Sequence, residues 1–395
     1  MLEFHKKKSK NPSKTEPEKR IKDFQEIYSQ FDKNDSIEQS SRCSQCGIPY
    51  CQIHCPLNNN IPDWLRYIAE GRLEEAYQVS ASTNAFPEVC GRVCPQDRLC
   101  EGNCVVEQAG FGAITIGNLE KYLTEIAWEK GWVKNLSSQN QYKQKVAIIG
   151  SGPAGMAASA YLIQNGYKVD VYEKNDRAGG LMIYGIPNFK LDKKIVERRT
   201  EWLTDSGVVF NLNTEVGKNI SFQDLEKDYD AILIATGVYK ARQLDIDTST
   251  VNNSIPALDF LIESNRTGLG DSPSKNKYLT AKDKHVVVIG GGDTAMDCVR
   301  TAIRQQAKEV TCLYRRNKEN MPGSAREVLN AEQEGIKFNW LSVPSKIISD
   351  SATATSMTYK VATLGEVDES GRRKPIDTGV EKQIKSDLII QALGF

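Results

Sequence analysis

The order of apolar and polar positions marks a unit in which a short strand, a tight turn, a helix and a second strand follow one another. The apolar run Val146 to Ile149 is too short for a helix and leads directly into a glycine-rich turn. A helix is predicted over 154–165 and a strand over 168–172. The same order recurs later in the chain, as strand 285–289, helix 294–305 and strand 310–314. Alternation of strands with helices predicts an α/β fold with parallel sheets.

The first glycine-rich turn has the spacing of a dinucleotide-binding turn. Gly150 permits the tight turn, Gly152 lets the backbone approach a pyrophosphate, and Gly155 allows the helix to lie against the strand. Phosphate would bind unpaired N–H groups at the helix start, where the helix dipole favours an anion. Glu173, after the second strand, is placed to accept hydrogen bonds from ribose hydroxyls, which indicates a free 2′-OH and favours FAD. The loop over 177–187 either contacts this dinucleotide or is an ordinary surface turn.

The second glycine-rich turn belongs to a unit with different residues after its second strand. Gly290, Gly292 and Ala295 occupy the three positions of the turn, and Arg315 and Arg316 stand where the first unit has its acid. Guanidinium groups suit a 2′-phosphate through charge and bidentate geometry, so this unit predicts NADP(H). The alternative is a solvated strand edge that carries two arginines. Two such sites on one chain favour hydride transfer between a nicotinamide and a flavin.

Eight of the ten cysteines lie in two runs that precede the first unit. The runs are Cys43, Cys46, Cys51 and Cys55, and Cys90, Cys94, Cys100 and Cys104. Closely spaced cysteines that end in Cys-Pro are typical of ferredoxin-like sites, in which the last cysteine of a run crosses to the other cluster. Eight thiolates would hold two [4Fe–4S] clusters. Zinc is the alternative, because it also accepts four thiolates in C-x2-C settings.

Apolar residues at helical spacing predict that the cysteine runs belong to a small α-helical domain. A helix over 115–128 is expected to pack this domain onto the first dinucleotide domain, and residues 133–144 are polar enough for a linker. The other predicted elements are helices over 61–77 and 193–205, strands over 208–212 and 230–234, and a small antiparallel patch over 358–363 and 380–384.

Composition excludes more than it indicates. In 395 residues, Lys plus Arg and Asp plus Glu number 51 each, so the overall charge gives no argument for a nucleic-acid or membrane partner. The basic residues near the start have no apolar run behind them, which rules out a signal peptide, and no segment could span a bilayer. We therefore expect a cytoplasmic protein whose segment 1–42 is a flexible, solvated arm with a short helix over 21–31.

Several segments together resemble the small (β) subunit family of NADPH-dependent glutamate synthase. The most specific are CSQCGIPYCQIHCP, EVCGRVCPQDRLCEGNC, GAITIGNLEKY, GGLMIYGIPNFKLDK, and VVVIGGGDTAMDC followed by LYRR and MPGSAREV. The resemblance implies two Rossmann-like domains, for FAD and NADP, of the disulfide-reductase-like flavoprotein type. They would follow an α-helical iron–sulfur domain like that of dihydropyrimidine dehydrogenase. The implied ranges are 43–132 for the iron–sulfur domain, 133–250 for the first part of the FAD domain, 251–383 for an inserted NADP domain, and 384–395 for a return to the FAD domain.

The resemblance also implies which residues bind each cofactor. The candidates for FAD are Gly150, Ser151, Gly152, Pro153, Ala154, Gly155, Glu173, Lys174, Gly180, Leu181, Thr236 and Gly237. The candidates for NADPH are Gly290, Gly291, Gly292, Asp293, Thr294, Arg315 and Arg316. The related module has one non-cysteine cluster ligand, and the matching residue here is Glu120. Glu120 and Cys90 are therefore alternatives, and Glu120 is otherwise a carboxylate on a helix surface.

The implied activity is transfer of electrons from NADPH through FAD and two clusters to the FMN of a large (α) subunit, which makes glutamate from glutamine and 2-oxoglutarate. Relatives continue past the Ala-Leu-Gly-Phe turn that ends this chain, so we expect a shortened chain that purifies poor in flavin. Two other functions stay open. One is a related NADPH-dependent oxidoreductase with another acceptor, such as ferredoxin or a sulfur species, and the other is a cluster-bearing interaction subunit without activity.

Overall fold

A computed structural model describes residues 1–367 and 371–394. The chain divides into two compact units. The first comprises Met1–Thr15, Glu26–Ile183 and Phe189–Gly237, and the second comprises Glu16–Gln25, Tyr184–Asn188 and Val238–Phe395. The cysteine-rich part and the first dinucleotide fold therefore share one unit, and the second dinucleotide fold belongs to the other.

Helices form the cysteine-rich part and flank the parallel sheets. In chain order they are α1 (Pro17–Arg20), α2 (Lys33–Ser41), α3 (Tyr50–Ile53), α4 (Ile61–Ala69), α5 (Leu73–Ala81), α6 (Pro87–Val93), α7 (Val105–Gln108), α8 (Ile116–Glu129), α9 (Pro153–Gln164), α10 (Leu181–Tyr184), α11 (Lys193–Asp205), α12 (Phe222–Asp228), α13 (Ala257–Gly268), α14 (Asp293–Arg304) and α15 (Ala325–Gln333). In the part of the chain that the structure describes, no helix is long and apolar enough to cross a bilayer.

The strands form two parallel sheets and one antiparallel sheet. They are β1 (Lys145–Ile149), β2 (Lys168–Tyr172), β3 (Val209–Asn211), β4 (Ala231–Ile234), β5 (Ser254–Pro256), β6 (His285–Ile289), β7 (Glu309–Leu313), β8 (Lys337–Asn339), β9 (Ser342–Asp350), β10 (Thr353–Val367), β11 (Arg373–Lys385) and β12 (Leu388–Gln391). The antiparallel sheet, ordered β11-β10-β9, contains the antiparallel patch that the sequence predicts, with longer strands.

The apolar segment between the cysteine runs forms two helices rather than one. α4 has Pro62 in its first turn and buries Trp64, Leu65 and Ile68 on one face. The helix ends before Gly71, whose φ of 77° is a left-handed value that glycine adopts without strain. α5 then packs against α4 and α8. The predicted α-helical domain is confirmed, with one more break than the periodicity indicated.

α6 and α8 pack closely through a glycine contact. A Cβ on Gly91 would lie 2.6 Å from the carbonyl oxygen of Gly117, so a side chain at this position would force the helices apart. Cys90 lies within α6 and Cys94 caps its end. The close packing brings this end of α6 beside Glu120 of α8, within electrostatic range of Cys90.

Ion pairs join α6 and α8 to α11 of the first dinucleotide fold. Glu88 of α6 accepts hydrogen bonds of 2.6 and 2.9 Å from Nε and Nη2 of Arg199, and neither side chain is more than 2% exposed. Glu125 of α8 pairs with Arg198 at 2.9 Å. As predicted, α8 therefore packs the cysteine-rich part onto the first dinucleotide fold.

The first sheet has the strand order β3-β2-β1-β4, and all its pairs are parallel. Ile149, at the end of β1, pairs with Tyr172 on one side and with Ile234 on the other. The carboxyl ends of three strands therefore meet at one edge. Open parallel sheets bind ligands beyond this edge, so it is where the first glycine-rich turn would act.

The predicted return of residues 384–395 to the first dinucleotide domain is wrong for the residues that the structure describes, which exclude Phe395. The second sheet is ordered β5-β12-β6-β7-β8, and Gln391 of β12 pairs with Ile289 of β6. β12 thus has the place beside β6 that β4 has beside β1. Each dinucleotide fold ends in its own strand and small-residue turn, and sequence likeness alone does not say which sheet such a strand joins. The predicted boundary at 250/251 is also wrong, because the second unit resumes at Val238.

The expectation of a flexible arm over 1–42 is wrong as well. In the second unit, Arg20 is 1% exposed and pairs with Glu334 at 2.8 Å. In the first unit, Arg42 is fully buried. Residues 21–31 form turns and a bridge instead of the predicted helix. The basic composition predicted a solvated arm because it does not show where partners come from. Carboxylates and backbone carbonyls far along the chain pair with these arginines and allow them to be buried.

Candidate functional site

Four thiols from the two cysteine runs meet at one pocket in the first unit. The first thiol set comprises Cys43, Cys46 and Cys51 of the first run and Cys104 of the second. Cys43 follows the end of α2, Cys51 lies in α3, and Cys104 precedes α7. This is the grouping that a crossing of the last cysteine predicts.

Hydrogen-bond donors surround the first thiol set. Gln45 directs its backbone N and its Nε2 at the sulfur of Cys43, at 3.5 and 3.4 Å. Oγ of Ser44 lies 2.9 Å from the sulfur of Cys46. Burial raises the pKa of Cys43 and raises the pKa of Cys51 to about 12, so these thiols need a bound cation to become thiolates. Sulfurs that line a pocket and receive such donors fit an iron–sulfur cluster.

The other cysteines of the two runs lie near α6 and α8. We call Cys55, Cys90, Cys94 and Cys100 the second thiol set: Cys90 interacts with Cys94, and Cys100 interacts with Glu120 and Cys55, as well as with Cys51 of the first set. Nδ2 of Asn84 donates to Oε1 of Glu120 at 3.1 Å, and its Oδ1 lies 3.7 Å from the sulfur of Cys90. Burial raises the pKa of Glu120 well above its ordinary value, and Cys90 acts in the same direction. Glu120 is 8% exposed, so it is not the surface carboxylate of the alternative interpretation.

The thiols are not arranged around a single ion. Within residues 1–367 and 371–394, no three or more His, Cys, Asp or Glu side chains are placed to hold one metal ion. A four-iron cluster needs space between its thiolates, and a tetrahedral zinc ion needs the sulfurs to converge on one point.

The first glycine-rich turn closes against the end of β4. Gly150 has φ 105°, and a Cβ there would lie 2.5 Å from the carbonyl oxygen of Ala235. A Cβ on Gly155 would lie 2.0 Å from the carbonyl oxygen of Gly150, so the start of α9 lies directly on the turn. A Cβ on Gly152 would meet open space, which is the position where backbone would approach a pyrophosphate. The backbone therefore has the shape that a dinucleotide requires.

Glu173 lies at this turn, but its carboxylate already has partners. Oε2 accepts hydrogen bonds from the backbone N and Oγ of Ser151, at 3.1 and 2.6 Å. Oε1 accepts from the backbone N and Nδ2 of Asn175, at 2.9 and 2.7 Å. Ribose hydroxyls would have to join or replace these bonds. Ribose binding by Glu173 stays a prediction, and Ser151 orients the acid toward the turn.

The loop that begins at 177 docks on the turn rather than lying free at the surface. The N–H of Gly179 donates to the carbonyl oxygen and Oγ of Ser151, at 3.1 and 3.2 Å. A Cβ on Gly180 would lie 2.6 Å from Cα of Gly152, and Leu181 begins α10. The remaining candidates are exposed and follow β1, β2 or β4 at the carboxyl edge: Pro153, Ala154, Lys174, Thr236 and Gly237.

The second glycine-rich turn repeats this geometry in the second unit. Gly290 has φ 146°, and a Cβ there would lie 2.1 Å from the carbonyl oxygen of Ala392, which follows β12. A Cβ on Gly292 would meet open space, and one on Gly291 would lie 2.4 Å from the ring of Tyr314. In both turns, the first glycine lies against the residue that follows the neighbouring parallel strand, β4 in the first sheet and β12 in the second.

The loop before α15 is held against the second turn. The N–H of Gly323 donates to the carbonyl oxygen of Gly291 at 2.7 Å, and the N–H of Ser324 donates to Oδ1 of Asp293 at 2.9 Å. Asp293 therefore holds this loop beside the second glycine-rich turn. Thr294 follows it in the first turn of α14 and is partly exposed.

The two arginines after β7 differ in their surroundings. Arg315 is exposed, whereas Arg316 is 3% exposed and donates from Nε to the carbonyl oxygen of Arg373 at 2.7 Å. Arg315 is therefore the more accessible to a 2′-phosphate. Binding of a 2′-phosphate by both guanidinium groups stays a prediction. The observed hydrogen bond of Arg316 ties it to the first residue of β11.

Sequence reasoning missed three residues that build the thiol sites. Arg42 and Gln45 lie within two residues of Cys43, and this closeness in sequence could have identified them. No sequence pattern identifies Asn84, because 36 residues separate it from Glu120 and the packing of α6 on α8 brings the two together.

Comparisons with known proteins agree with this architecture. Residues 20–132 match the family model described as dihydropyrimidine dehydrogenase domain II, 4Fe-4S cluster, and residues 144–395 match that of pyridine nucleotide-disulphide oxidoreductase. These matches confirm the predicted order of an iron–sulfur domain followed by a flavoprotein-type fold. Among solved structures, Mycobacterium tuberculosis FprA in complex with NADPH has the same fold, with a TM-score of 0.54 and 21% identity over 64% of this chain and 71% of that chain.

Two curated relatives match over most of the chain. The glutamate synthase NADPH small chain of Azospirillum brasilense is 51% identical, over 100% of this chain and 82% of its own. The glutamate synthase NADPH small chain of Escherichia coli (strain K12) is 46% identical, over 94% of this chain and 79% of its own.

Proposed function

Because this chain belongs to the family of NADPH-dependent glutamate synthase small chains, we propose that it is the electron-input subunit of such an enzyme. It would oxidise NADPH and deliver electrons singly to a larger subunit that converts glutamine and 2-oxoglutarate into glutamate. The observation that carries the proposal is the buried pair of Glu88 and Arg199, which joins the helices beside the second thiol set directly to the first dinucleotide fold.

The first glycine-rich turn would hold FAD. When bound, FAD accepts hydride from a nicotinamide and gives up electrons one at a time. The chain would contribute unpaired N–H groups at the start of α9 for the pyrophosphate, the open backbone face at Gly152, and the acid Glu173 for the ribose. Gly180 keeps its loop within reach of the same phosphates, because a side chain there would push the loop away from Gly152.

The second turn would bind NADPH as the substrate. The pyrophosphate would lie on the backbone of Gly290 to Gly292 at the start of α14, and Arg315 would pair with the 2′-phosphate. Asp293 would act indirectly, since its carboxylate holds the loop at Ser324.

Two [4Fe–4S] clusters would occupy the thiol sets. The first thiol set supplies four thiolates. The second would supply Cys55, Cys94 and Cys100, with Glu120 or Cys90 as the last ligand. The burial of Glu120 supports this residue, rather than Cys90, as the last ligand. A buried carboxylate without a cation is unfavourable, and cluster iron would provide that cation.

The large subunit would dock over the first thiol set, at a surface we call the thiol rim. The thiol rim comprises the exposed apolar residues Ile48, Tyr50, Ile53, Leu57 and Val105. Ile48 and Ile53 are 61 and 57% exposed, and the stretch 44–58 contains no Asp, Glu, Lys or Arg. Exposed apolar residues clustered in this way mark interaction sites.

We place the protein in the cytoplasm, where reducing conditions keep such thiols available for iron.

The test is a stepwise activity measurement on anaerobically purified protein. Iron, acid-labile sulfide and zinc are measured first, and then NADPH oxidation with an artificial electron acceptor. Addition of the large subunit should next give glutamate formation that depends on glutamine, 2-oxoglutarate and NADPH. Zinc without iron would contradict the proposal. NADPH oxidation without glutamate formation would favour another acceptor, and no turnover after flavin reconstitution would favour an interaction subunit.

A further inference from the structure

Arg42 is a buried charge whose hydrogen-bond partners are all backbone carbonyls. Its Nε donates to Lys7 at 3.0 Å and its Nη1 to Ala113 at 2.6 Å. Its Nη2 donates to Phe111 and Gly112, at 2.8 and 2.7 Å. Carbonyl oxygens satisfy the N–H groups without carrying a net charge. Because arginine stays protonated in proteins, a full positive charge is held in the interior of the first unit.

This charge is only partly offset. The acidic groups that act on it are the Cys104 thiol and the carboxylate of Glu107. Oε2 of Glu107 is directed elsewhere, since it accepts a hydrogen bond of 2.5 Å from the N–H of Ala113. Within the described ranges, Arg42 makes no ion pair with a carboxylate.

Arg42 lies beside the first thiol set. It directly precedes Cys43, and Cys104 is within electrostatic range of its guanidinium. The carbonyls that hold it, 111–113, immediately precede Ile114, which lines the thiol pocket. A buried positive charge is therefore adjacent in sequence to one lining residue, Cys43, and is held by the carbonyls that precede another, Ile114.

Carboxylates act on two cysteines of the second thiol set. Glu101 and Glu120 act on Cys100, and Glu88 acts on Cys90. Arg199 neutralises Glu88 directly, and within the described ranges the carboxylate of Glu120 has the neutral Asn84 as its hydrogen-bond partner. Arg42 is therefore a buried positive charge beside the first thiol set, where it would stabilise an added electron, whereas carboxylates are the charged side chains that act on Cys90 and Cys100 of the second set.

We propose that Arg42 raises the reduction potential of the cluster in the first thiol set above that of the cluster in the second. Reduction adds one negative charge to a cluster without forming or breaking a bond, and a nearby positive charge in a low-dielectric interior stabilises the reduced form. The electron comes from the second cluster, so the potential difference directs electrons toward the thiol rim. The inference rests on the proposed function in that both thiol sets hold clusters.

The test is a reductive titration of the anaerobic, cluster-loaded protein followed by EPR. In Arg42→Gln, the equilibrium constant for reducing the higher-potential cluster should fall at least tenfold, which for a one-electron couple is a shift of about 59 mV to lower potential. Arg42→Lys keeps the charge but loses part of the carbonyl network, so its constant should stay within about threefold of the wild-type value. The lower-potential cluster should stay within about threefold in both variants.

Two carboxylate variants keep the test decisive if Arg42→Gln does not assemble its cluster. Glu107→Gln should raise the constant of the same cluster, because an exposed negative charge close to Arg42 is lost and the amide oxygen can still accept from Ala113. Glu129→Gln removes a charge that is 66% exposed at the end of α8 and should shift neither cluster. Unchanged potentials in Glu107→Gln and Arg42→Gln would overturn the inference. So would a shift of the lower-potential cluster, or an Arg42→Lys that behaves like Arg42→Gln. Wild-type protein without clusters would instead contradict the proposed function.

Discussion

Removing Arg199 tests how the cysteine-rich part is held to the first dinucleotide fold. In Arg199→Met, the buried Glu88 loses two hydrogen bonds of 2.6 and 2.9 Å. Among the described residues, its carboxylate is then left with the more distant Arg198, at 3.7 Å, as a positive partner. Loss of one member of a buried ion pair costs about 3–5 kcal/mol. Arg199 also lies over the rings of Trp128 and Trp202, at 5.0 and 4.7 Å, which places the expected loss at the upper end, about 5 kcal/mol.

The assay is urea unfolding followed by tryptophan fluorescence, with iron content measured in parallel. Four of the five tryptophans lie in the first unit, so the signal reports mainly on that unit. The matched control is the double variant Glu88→Gln with Arg199→Met, which removes both charges and should lose at least about 2 kcal/mol less than the sum of the single changes. A loss below about 1 kcal/mol in Arg199→Met, or strict additivity, would refute the reasoning.

After reconstitution with FAD, Gly150→Ala should bind less flavin than the wild-type chain and keep its iron, because a Cβ there would lie 2.5 Å from the carbonyl oxygen of Ala235; an unchanged flavin-to-iron ratio would contradict this. Arg315→Ala should raise KM for NADPH about 10- to 100-fold in steady-state kinetics, since a charged hydrogen bond is worth about 1.5–3 kcal/mol. KM for NADH should stay unchanged, and an equal rise for both would exclude a role at the 2′-phosphate. Burial acts to raise the pKa of Asp387, but hydrogen bonds from the backbone and ring of His285 outweigh it and lower that pKa overall. A lowered carboxyl pKa adds stability above the unfolded value of about 3.9 that is lost as the pH falls, so Asp387→Asn should flatten the loss of stability between about pH 5 and 3. Parallel pH profiles for the two proteins would count against that pairing.

Local patterns predicted the parts of the fold that depend on neighbours in the chain. The helix predicted over 193–205 has the observed bounds, and the strand predicted over 285–289 does too. Both follow from apolar periodicity and from flanking turn residues, which act over a few positions. The two glycine-rich turns were equally readable, because φ values such as 105° at Gly150 restrict the residue type at the position itself.

Contacts between distant residues decided what these patterns left open. Which sheet β12 joins depends on its partners β5 and β6, and an apolar strand of four residues carries no mark of them. Residue type likewise does not tell whether a charged side chain is available to a ligand. Glu173 already accepts hydrogen bonds from Ser151 and Asn175. Arg316 already donates to the carbonyl oxygen of Arg373.

The sequence alone determined the kinds of chemistry this protein carries: eight thiols in two runs, two dinucleotide turns, and an acid after one strand and arginines after the other. Only the tertiary structure decided where charge is buried. Arg20 pairs with Glu334 and Arg42 with carbonyls about seventy residues away, and composition had counted both as solvated. The physical reason is that the energy of a charge depends on what surrounds it in space, and those groups come together only when the whole chain has folded.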